Sequence, residues 1–199
     1  MGREANVFNT ELNYHAIRNA LKTGNPNEFL MTIEFFPEEG KYHYDGHRTC
    51  NLSTTPQETI RNNYLCPRCG RKTTVGVMHR VEKLADRAEG TKSKRAIPFK
   101  NLIPLPEIIA DVIGTAPDSQ GVEKEYEKII NSLGNELRVL MKASHQELSR
   151  IGNPLIADAI QRVREGKVHL EPGYDGEYGK IKIFSEEEKE SLEPQGTLF

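Results

Sequence analysis

The stretch His47-Arg48-Thr49-Cys50, followed after fifteen residues by Cys66-Pro67-Arg68-Cys69, decides how this chain is organised. It is an H-x2-C pair followed by a C-x2-C pair, and it contains all three cysteines of the chain. A Zn(II) ion binds four nitrogen or sulfur donors at the corners of a tetrahedron, and a two-residue gap lets each pair hold one edge. The pattern therefore predicts a structural zinc site formed by His47, Cys50, Cys66 and Cys69.

Other assignments of these residues stay open at this point. The cysteines can be ordinary buried thiols, and the fourth ligand can be His43 or His79 instead of His47. A disulfide fits less well, because an odd cysteine is left over and nothing in the sequence indicates an oxidising compartment. His47 is preferred because it alone completes a two-residue gap. A closed set of four ligands leaves no open coordination position, so we expect the metal to support the fold and not to catalyse a reaction.

The composition indicates one hydrophobic core of modest size and a small module that a bound metal stabilises. The chain has 199 residues, of which 36% are hydrophobic, and it has no tryptophan. Its first residues carry Arg3 and Glu4 and no apolar run, which is unlike a signal peptide. No stretch approaches the ~20 apolar residues that a membrane span needs. We therefore expect a cytoplasmic protein, associated with the nucleoid, with no membrane partner.

Charge is distributed unevenly along the chain, although the formal net charge is only -2. Residues 68–100 contain ten basic and three acidic side chains, whereas the last fifteen residues contain five glutamates and one lysine. A basic segment favours a polyanionic partner, and the phosphates of DNA are such a partner. The loop 90–95 fits a solvated linker equally well. The candidate phosphate contacts are Arg68, Arg71, Lys72, Arg80, Lys92, Lys94 and Arg95.

The pattern of apolar and turn-forming residues predicts an α+β fold: a small zinc ribbon, then a helical domain, then a short β-hairpin near the C-terminus. Before the ribbon, a helix is predicted from Thr10, its N-cap, to Lys22, and a strand over 29–36. Within the ribbon, short strands are predicted at 42–44 and 72–78, followed by a helix over 79–86. The later helices are predicted at 107–113, 121–133, 136–141, 144–151 and 154–165, and the hairpin over 168–184.

The segment 148–160 has the layout of a helix-hairpin-helix, two apolar helices joined by a tight turn at Gly152. In that motif, turn amides at a helix N-terminus hold a phosphate. Asn153 replaces the usual second glycine, so an ordinary helical hairpin fits better than a DNA clamp. P-loop, dinucleotide-binding and G-x-S-x-G patterns are absent. The sequence therefore contains no complete active site.

The chain ends with Gln195-Gly196-Thr197-Leu198-Phe199, after an acidic segment. These residues resemble the Q-x-x-L-F peptide with which bacterial DNA-repair and replication enzymes dock on the sliding clamp. In that peptide the glutamine is hydrogen-bonded and the two apolar side chains fill a pocket. The alternative is a frayed terminus that matches by chance. The resemblance implies that Gln195, Leu198 and Phe199 bind a sliding clamp.

Several longer strings resemble endonuclease Q and its PHP-family relatives. They are G-R-E-A-N-V-F at 2–8, E-F-F-P-E-E-G-K-Y-H-Y-D-G-H-R at 34–48, C-P-R-C-G at 66–70, V-M-H-R-V at 77–81 and L-A-D-R at 84–87. That family consists of an N-terminal PHP phosphoesterase domain, a zinc-binding domain and a C-terminal helical domain, and it nicks DNA on the 5′ side of deaminated bases and abasic sites. The resemblance implies that this chain corresponds to the C-terminal part, without the PHP catalytic metal ligands.

The resemblance implies four segments: residues 1–36 as the edge of a PHP-like domain, 37–88 as a zinc-ribbon module, 98–184 as a helical domain, and 185–199 as a flexible acidic tail. It carries over His47, Cys50, Cys66 and Cys69 as metal ligands, and no catalytic residue. The expected function is the DNA-binding and lesion-recognition portion of an endonuclease Q-like repair protein, non-catalytic alone. The alternatives are one half of a split nuclease, completed by a separately encoded PHP chain, and a degenerate remnant without activity.

Overall fold

The computed structural model describes residues 4–93, 95–185 and 187–189. The strands are β1 (Ala5–Phe8), β2 (Phe29–Glu34), β3 (Asp45–His47), β4 (Leu52–Thr54), β5 (Phe99–Asn101), β6 (His169–Glu171) and β7 (Lys180–Lys182). The helices are α1 (Tyr14–Thr23), α2 (Pro56–Arg61), α3 (Val77–Leu84), α4 (Leu105–Ile113), α5 (Gln120–Leu133), α6 (Glu136–Met141), α7 (His145–Ile151) and α8 (Pro154–Arg164). The predicted α+β class is confirmed, with a Cys/His cluster, later helices and a two-stranded sheet of β6 and β7.

The chain divides into two compact units. The described residues of the first unit are 4–35, 95–169, 182–185 and 187–189. Those of the second unit are 36–93 and 170–181. Each unit is therefore assembled from segments that are far apart in the sequence.

The first unit contains a three-stranded sheet in the order β1-β2-β5. Strand β1 runs antiparallel to β2, and β5 runs parallel to β2 with Phe99 opposite Thr32. The ring of Phe8 stacks on that of Phe29, with centroids 4.9 Å apart. Phe29 and Ile33 of the central strand are buried, as its apolar sequence predicts.

Helix α1 begins later than its sequence predicts. Asn13 has an extended backbone and accepts a hydrogen bond from the Ala16 amide at 2.9 Å, which makes it the N-cap. The predicted cap at Thr10 is therefore wrong. The predicted stop is correct, because Gly24 adopts a φ of 60° and ends the helix in the left-handed conformation.

Helices α4 to α8 form the main core of the first unit. Helix α8 packs against α4, α6 and α7. Burying one large aliphatic side chain between such helices contributes about 1.5–3 kcal/mol to the stability of the fold. The starts of the helices follow local caps, because Ser119, Asn135, Ser144 and Asn153 each accept a backbone amide of the helix that follows. The buried side chains of α8 are Ile156, Ala157, Ala159, Ile160 and Val163.

The second unit is built around the antiparallel hairpin of β3 and β4, in which His47 lies opposite Leu52. Helix α2 begins with a capping box, in which the Thr55 hydroxyl accepts from the Glu58 amide and the Glu58 carboxylate accepts from the Thr55 amide. The predicted strand at 42–44 is not formed, and of its residues Tyr44 makes an isolated bridge to Tyr174.

The predicted strand over 72–78 is wrong. Lys72 and Thr74 make isolated bridges only, and α3 already begins at Val77. The buried Asp45 carboxylate explains the change of direction, because it accepts a hydrogen bond from the Gly76 amide at 2.7 Å and contacts His79 Nδ1 at 2.7 Å. A side chain at position 76 would collide with the carbonyl of Tyr44, so glycine is required there. This tertiary contact overrides the local preference of Thr73, Thr74 and Val75 for a strand.

Within the described part of the chain, no helix combines the length and the apolar character that crossing a membrane requires.

Candidate metal centre

The first half of the metal centre is the turn between β3 and β4. His47 is the last residue of β3, and a single 3-10 turn, Arg48–Cys50, brings Cys50 back toward it. Asn51 then adopts a φ of 48°, a left-handed conformation that asparagine tolerates better than most residues. The chain can therefore return along β4, and the H-x2-C pair lies at the tip of the hairpin.

The second half is a tight turn over residues 66–70. The Cys66 amide donates to the carbonyl of Arg71 at 2.7 Å, and the Gly70 amide donates to the carbonyl of Cys66 at 2.8 Å. Gly70 has a φ of 70°, which favours glycine. The guanidinium of Arg68 donates to the backbone carbonyl of Cys50. Arg68 therefore ties the second turn to the first.

The two turns bring the four predicted ligands together. One donor atom from each of His47, Cys50, Cys66 and Cys69 lies within 4.8 Å of the others, and His47 Nδ1 is 3.5 Å from Cys69 Sγ. Sulfur ligands of a tetrahedral zinc ion lie about 3.8 Å apart, given a Zn–S distance near 2.3 Å. A metal ion at the centre of the cluster can therefore reach all four donors. Among the described residues, this is the one group of three or more such side chains that can hold a metal.

The thiols of the cluster differ in how readily they ionise. A hydrogen bond with the Cys69 side chain, together with burial, raises the pKa of Cys50 to about 11. Burial also opposes ionisation of Cys66, but hydrogen bonds from the amides of Arg68 and Cys69 outweigh it and lower the pKa of Cys66 to about 6. Three sulfurs this close cannot all carry a negative charge unless a cation neutralises them. The donor set therefore fits a divalent metal that thiolates prefer.

The two other candidate histidines are engaged elsewhere. His43 is buried, and its Nδ1 lies 2.9 Å from the carbonyl of Pro37. His79 is also buried, with Nδ1 at 2.7 Å from the Asp45 carboxylate and Nε2 at 3.3 Å from the Tyr64 hydroxyl. Sequence analysis missed the partnership of Asp45 and His79, because the two residues are 34 positions apart and no spacing rule connects them.

A distant loop holds the first turn in place, which the sequence did not indicate. Asp175 accepts hydrogen bonds from the Arg48 amide at 2.6 Å and from the Thr74 hydroxyl at 2.5 Å. Burial opposes ionisation of Asp175, but these two donors outweigh it and lower the pKa of its carboxyl. The hydroxyl of the neighbouring Tyr174 donates to Asn51 at 2.7 Å. The hairpin tip is therefore fixed by residues more than a hundred positions away.

The predicted phosphate-contacting residues are on the surface wherever the structure describes them. Five of them are exposed residues of the second unit, and Arg95 is an exposed residue of the first. Lys94 lies outside the described residues, as do Gln195, Leu198 and Phe199 of the clamp-like peptide. The five exposed residues of the second unit are Arg68, Arg71, Lys72, Arg80 and Lys92.

The segment with helix-hairpin-helix layout forms α7 and α8, which pack against each other. In the turn between them, the Asn153 side chain accepts from the Leu155 amide at 3.0 Å, so one of the amides at the start of α8 already has a partner in the chain. The ring of His145 contacts the Asp158 carboxylate at 2.6 Å across the two helices. The segment is therefore a helical hairpin in which a side chain of the chain itself caps the second helix.

Comparison with known proteins finds matches over nearly the whole chain. Residues 104–167 match the family model of the MJ0043 C-terminal domain. The uncharacterised protein MJ0043 of Methanocaldococcus jannaschii is 35% identical over 190 residues, which cover 92% of this chain and 23% of that protein.

Two solved structures are similar in fold as well as in sequence. The crystal structure of the lesion-specific endonuclease PfuEndoQ from Pyrococcus furiosus superposes with a TM-score of 0.81 at 31% identity, covering 97% of this chain and 49% of that one. A structure of endonuclease Q with a 27-mer duplex substrate that has an abasic lesion at the active site gives a TM-score of 0.76 at 32% identity, covering 95% and 47%. The chain therefore spans less than half of the length of each of these relatives.

Proposed function

We propose that this chain is the DNA-binding and lesion-recognition portion of an endonuclease Q-like repair protein. The observation that carries the proposal is the structural similarity to endonuclease Q over 97% of the chain. The similar endonuclease Q structure that holds duplex DNA makes a DNA duplex the partner to test. The exposed basic residues of the second unit, Arg71, Lys72, Arg80 and Lys92, are suited to contact its phosphates. Such binding places the chain with the nucleoid.

The cluster of His47, Cys50, Cys66 and Cys69 binds a structural Zn(II) ion in this proposal. Four protein ligands leave no open position for a water or a substrate, so the metal holds the two turns and takes no part in chemistry. None of the side chains assigned here has a catalytic role. We propose that strand cleavage belongs to a PHP phosphoesterase domain, as the resemblance implies, and that this chain alone binds damaged DNA without cutting it.

The proposal predicts that DNA binding depends steeply on salt. Each phosphate contact contributes a slope of about -0.9 to the dependence of log K on log salt. Replacing Lys92, Lys94 and Arg95 with alanine should make the slope for duplex DNA shallower by about 2 to 3 and weaken binding at low salt. Fluorescence anisotropy with a labelled duplex, titrated at several salt concentrations, measures both quantities.

A matched control removes the same charge from another surface. Arg18 and Lys22 of α1 and Lys124 of α5 are exposed, and alanine at these positions should leave the slope close to that of the wild type. Arg68 is left unchanged in both variants because its guanidinium contacts Cys50. If both triple variants bind DNA more weakly by the same factor, the assignment of phosphate contacts to the 92–95 loop is wrong. If even the wild-type chain does not bind DNA at low salt, the proposed function is wrong.

We further propose that the C-terminal residues bind a sliding clamp. Leu198→Ala combined with Phe199→Ala should abolish binding to a bacterial sliding clamp, because the two apolar side chains fill its pocket. Thr197→Ala changes a position that the Q-x-x-L-F pattern leaves free and should keep full affinity. Isothermal titration calorimetry of the full chain measures both. Equal heats for the wild type and the double variant would rule out this docking peptide.

A further inference from the structure

Helix α3 faces the opposite way from an ordinary amphipathic helix. Its apolar residues Val77, Val81 and Leu84 fall within about 60° of arc, because successive residues of a helix are 100° apart. Such a stripe is normally turned toward the protein core. Here the three side chains are 61%, 49% and 63% exposed. The buried residue of this helix is the polar His79, which lies roughly opposite the stripe.

The contacts of His79 fix this orientation. Its Nδ1 lies 2.7 Å from the Asp45 carboxylate, which is fully buried and also accepts the Gly76 amide at the start of the helix. A buried carboxylate that lost these partners would be costly, so the helix cannot roll to bury its apolar side without breaking them. The outward position of the valines and the leucine is therefore held by the fold.

One side of the stripe carries positive charge. Arg80 lies on α3 at that edge of the stripe, and Lys83 lies beyond it on the same side. Both are exposed, and the exposed Glu82 lies on the other side of the stripe. An apolar strip with cations along one side is complementary to a polyanion that offers apolar surface next to its charges. Duplex DNA offers such surface where its base stack is interrupted.

We propose that the stripe of Val77, Val81 and Leu84 contacts DNA at the interrupted stack of a lesion, while Arg80 and Lys83 contact the flanking phosphates. This inference rests on the proposed function and names the element that distinguishes damaged from intact duplex. DNA-bending proteins insert apolar side chains between base steps and must first separate the bases. At an abasic site one base is already missing, so the separation costs less and the apolar contact favours the lesion.

Two variants test the stripe without disturbing the core. Val77→Ala/Val81→Ala/Leu84→Ala removes its bulk, and Val77→Thr/Val81→Thr/Leu84→Gln keeps much of the bulk but makes it polar. Both should melt near the wild-type temperature, because the replaced side chains are exposed. The ratio of affinities for abasic and intact duplexes of otherwise identical sequence should fall about 10-fold or more in both, whereas the affinity for intact duplex should change little.

Two control variants separate the contributions. Leu12→Ala/Leu21→Ala removes exposed apolar side chains from the first unit and should keep the wild-type ratio. Arg80→Gln/Lys83→Gln should weaken binding to both duplexes and make the salt slope shallower by about 2. The ratio of affinities for abasic and intact duplex should stay at its wild-type value.

The outcomes distinguish this inference from the function on which it rests. If the wild type binds neither duplex, the proposed function fails too. If the wild type prefers the abasic duplex and the alanine variant keeps that full preference, this inference alone is wrong. Sedimentation and vesicle binding identify what covers the stripe in that case: a dimer that the alanine variant dissociates indicates a second copy, and lost binding to anionic vesicles indicates a membrane surface.

Discussion

At the residue scale, the candidate metal centre depends on how its two turns are held together. The donor atoms of His47, Cys50, Cys66 and Cys69 lie within 4.8 Å of one another. Asp175 accepts a hydrogen bond from the Arg48 amide and holds the first turn from 127 positions away in the sequence. The two-residue gaps predict the grouping of the four side chains, whereas only the folded chain shows that Asp175 matters.

The choice of His47 over His43 as the fourth ligand leads to a direct prediction. His47→Ala should weaken zinc binding by at least about 100-fold, because even the loss of an outer-shell partner costs about 10- to 100-fold. It should also lower the melting temperature of the zinc-loaded chain, since metal binding and folding are coupled in small metal modules. Competition against a chromogenic zinc chelator measures the affinity, and elemental analysis gives the zinc content per chain.

The control for this prediction is His43→Asn, which keeps a donor near the Pro37 carbonyl and leaves the cluster untouched. It should bind one zinc per chain with wild-type affinity. If His43→Asn loses zinc while His47→Ala retains it, the fourth ligand has been assigned to the wrong histidine.

At the element scale, the helices with local signals were predicted well. The predicted starts of α5 to α8 lie within one residue of the observed starts, because serine and asparagine caps act within a few residues of the helix that they begin. The segment 72–78 was predicted wrongly for the opposite reason. Its β-branched residues favour a strand, but a carboxylate from β3 holds Gly76 and His79 and begins a helix instead.

The same contact connects the metal centre with the apolar stripe of α3. Asp45 and His47 lie on one three-residue strand, with Asp45 facing the start of α3 and His47 facing the cysteines. Loss of the metal should therefore loosen the element that positions Val77, Val81 and Leu84. In the proposed function, the structural metal would in this way support lesion recognition without contacting DNA.

At the scale of the whole molecule, the sequence favours a class of partner but indicates no recognition surface. The excess of basic residues over 68–100 indicates a polyanion, and the longer strings resemble endonuclease Q, to which the fold is similar over 97% of the chain. Neither observation distinguishes damaged from intact DNA. In our proposal that distinction depends on which side of α3 faces outward, and a helical pattern of apolar residues normally predicts the reverse orientation.

Lesion recognition is tested by comparing the binding of damaged and undamaged DNA under one set of conditions. The zinc-loaded chain competes for a labelled duplex against unlabelled duplexes that contain uracil, hypoxanthine or an abasic site, or no lesion, and a denaturing gel of the same samples reports strand cleavage. We expect at least one lesion duplex to bind about 10-fold tighter than the undamaged one, with every strand uncut. Equal affinity for all four duplexes would contradict lesion recognition, and cut strands would show that this chain is itself a nuclease.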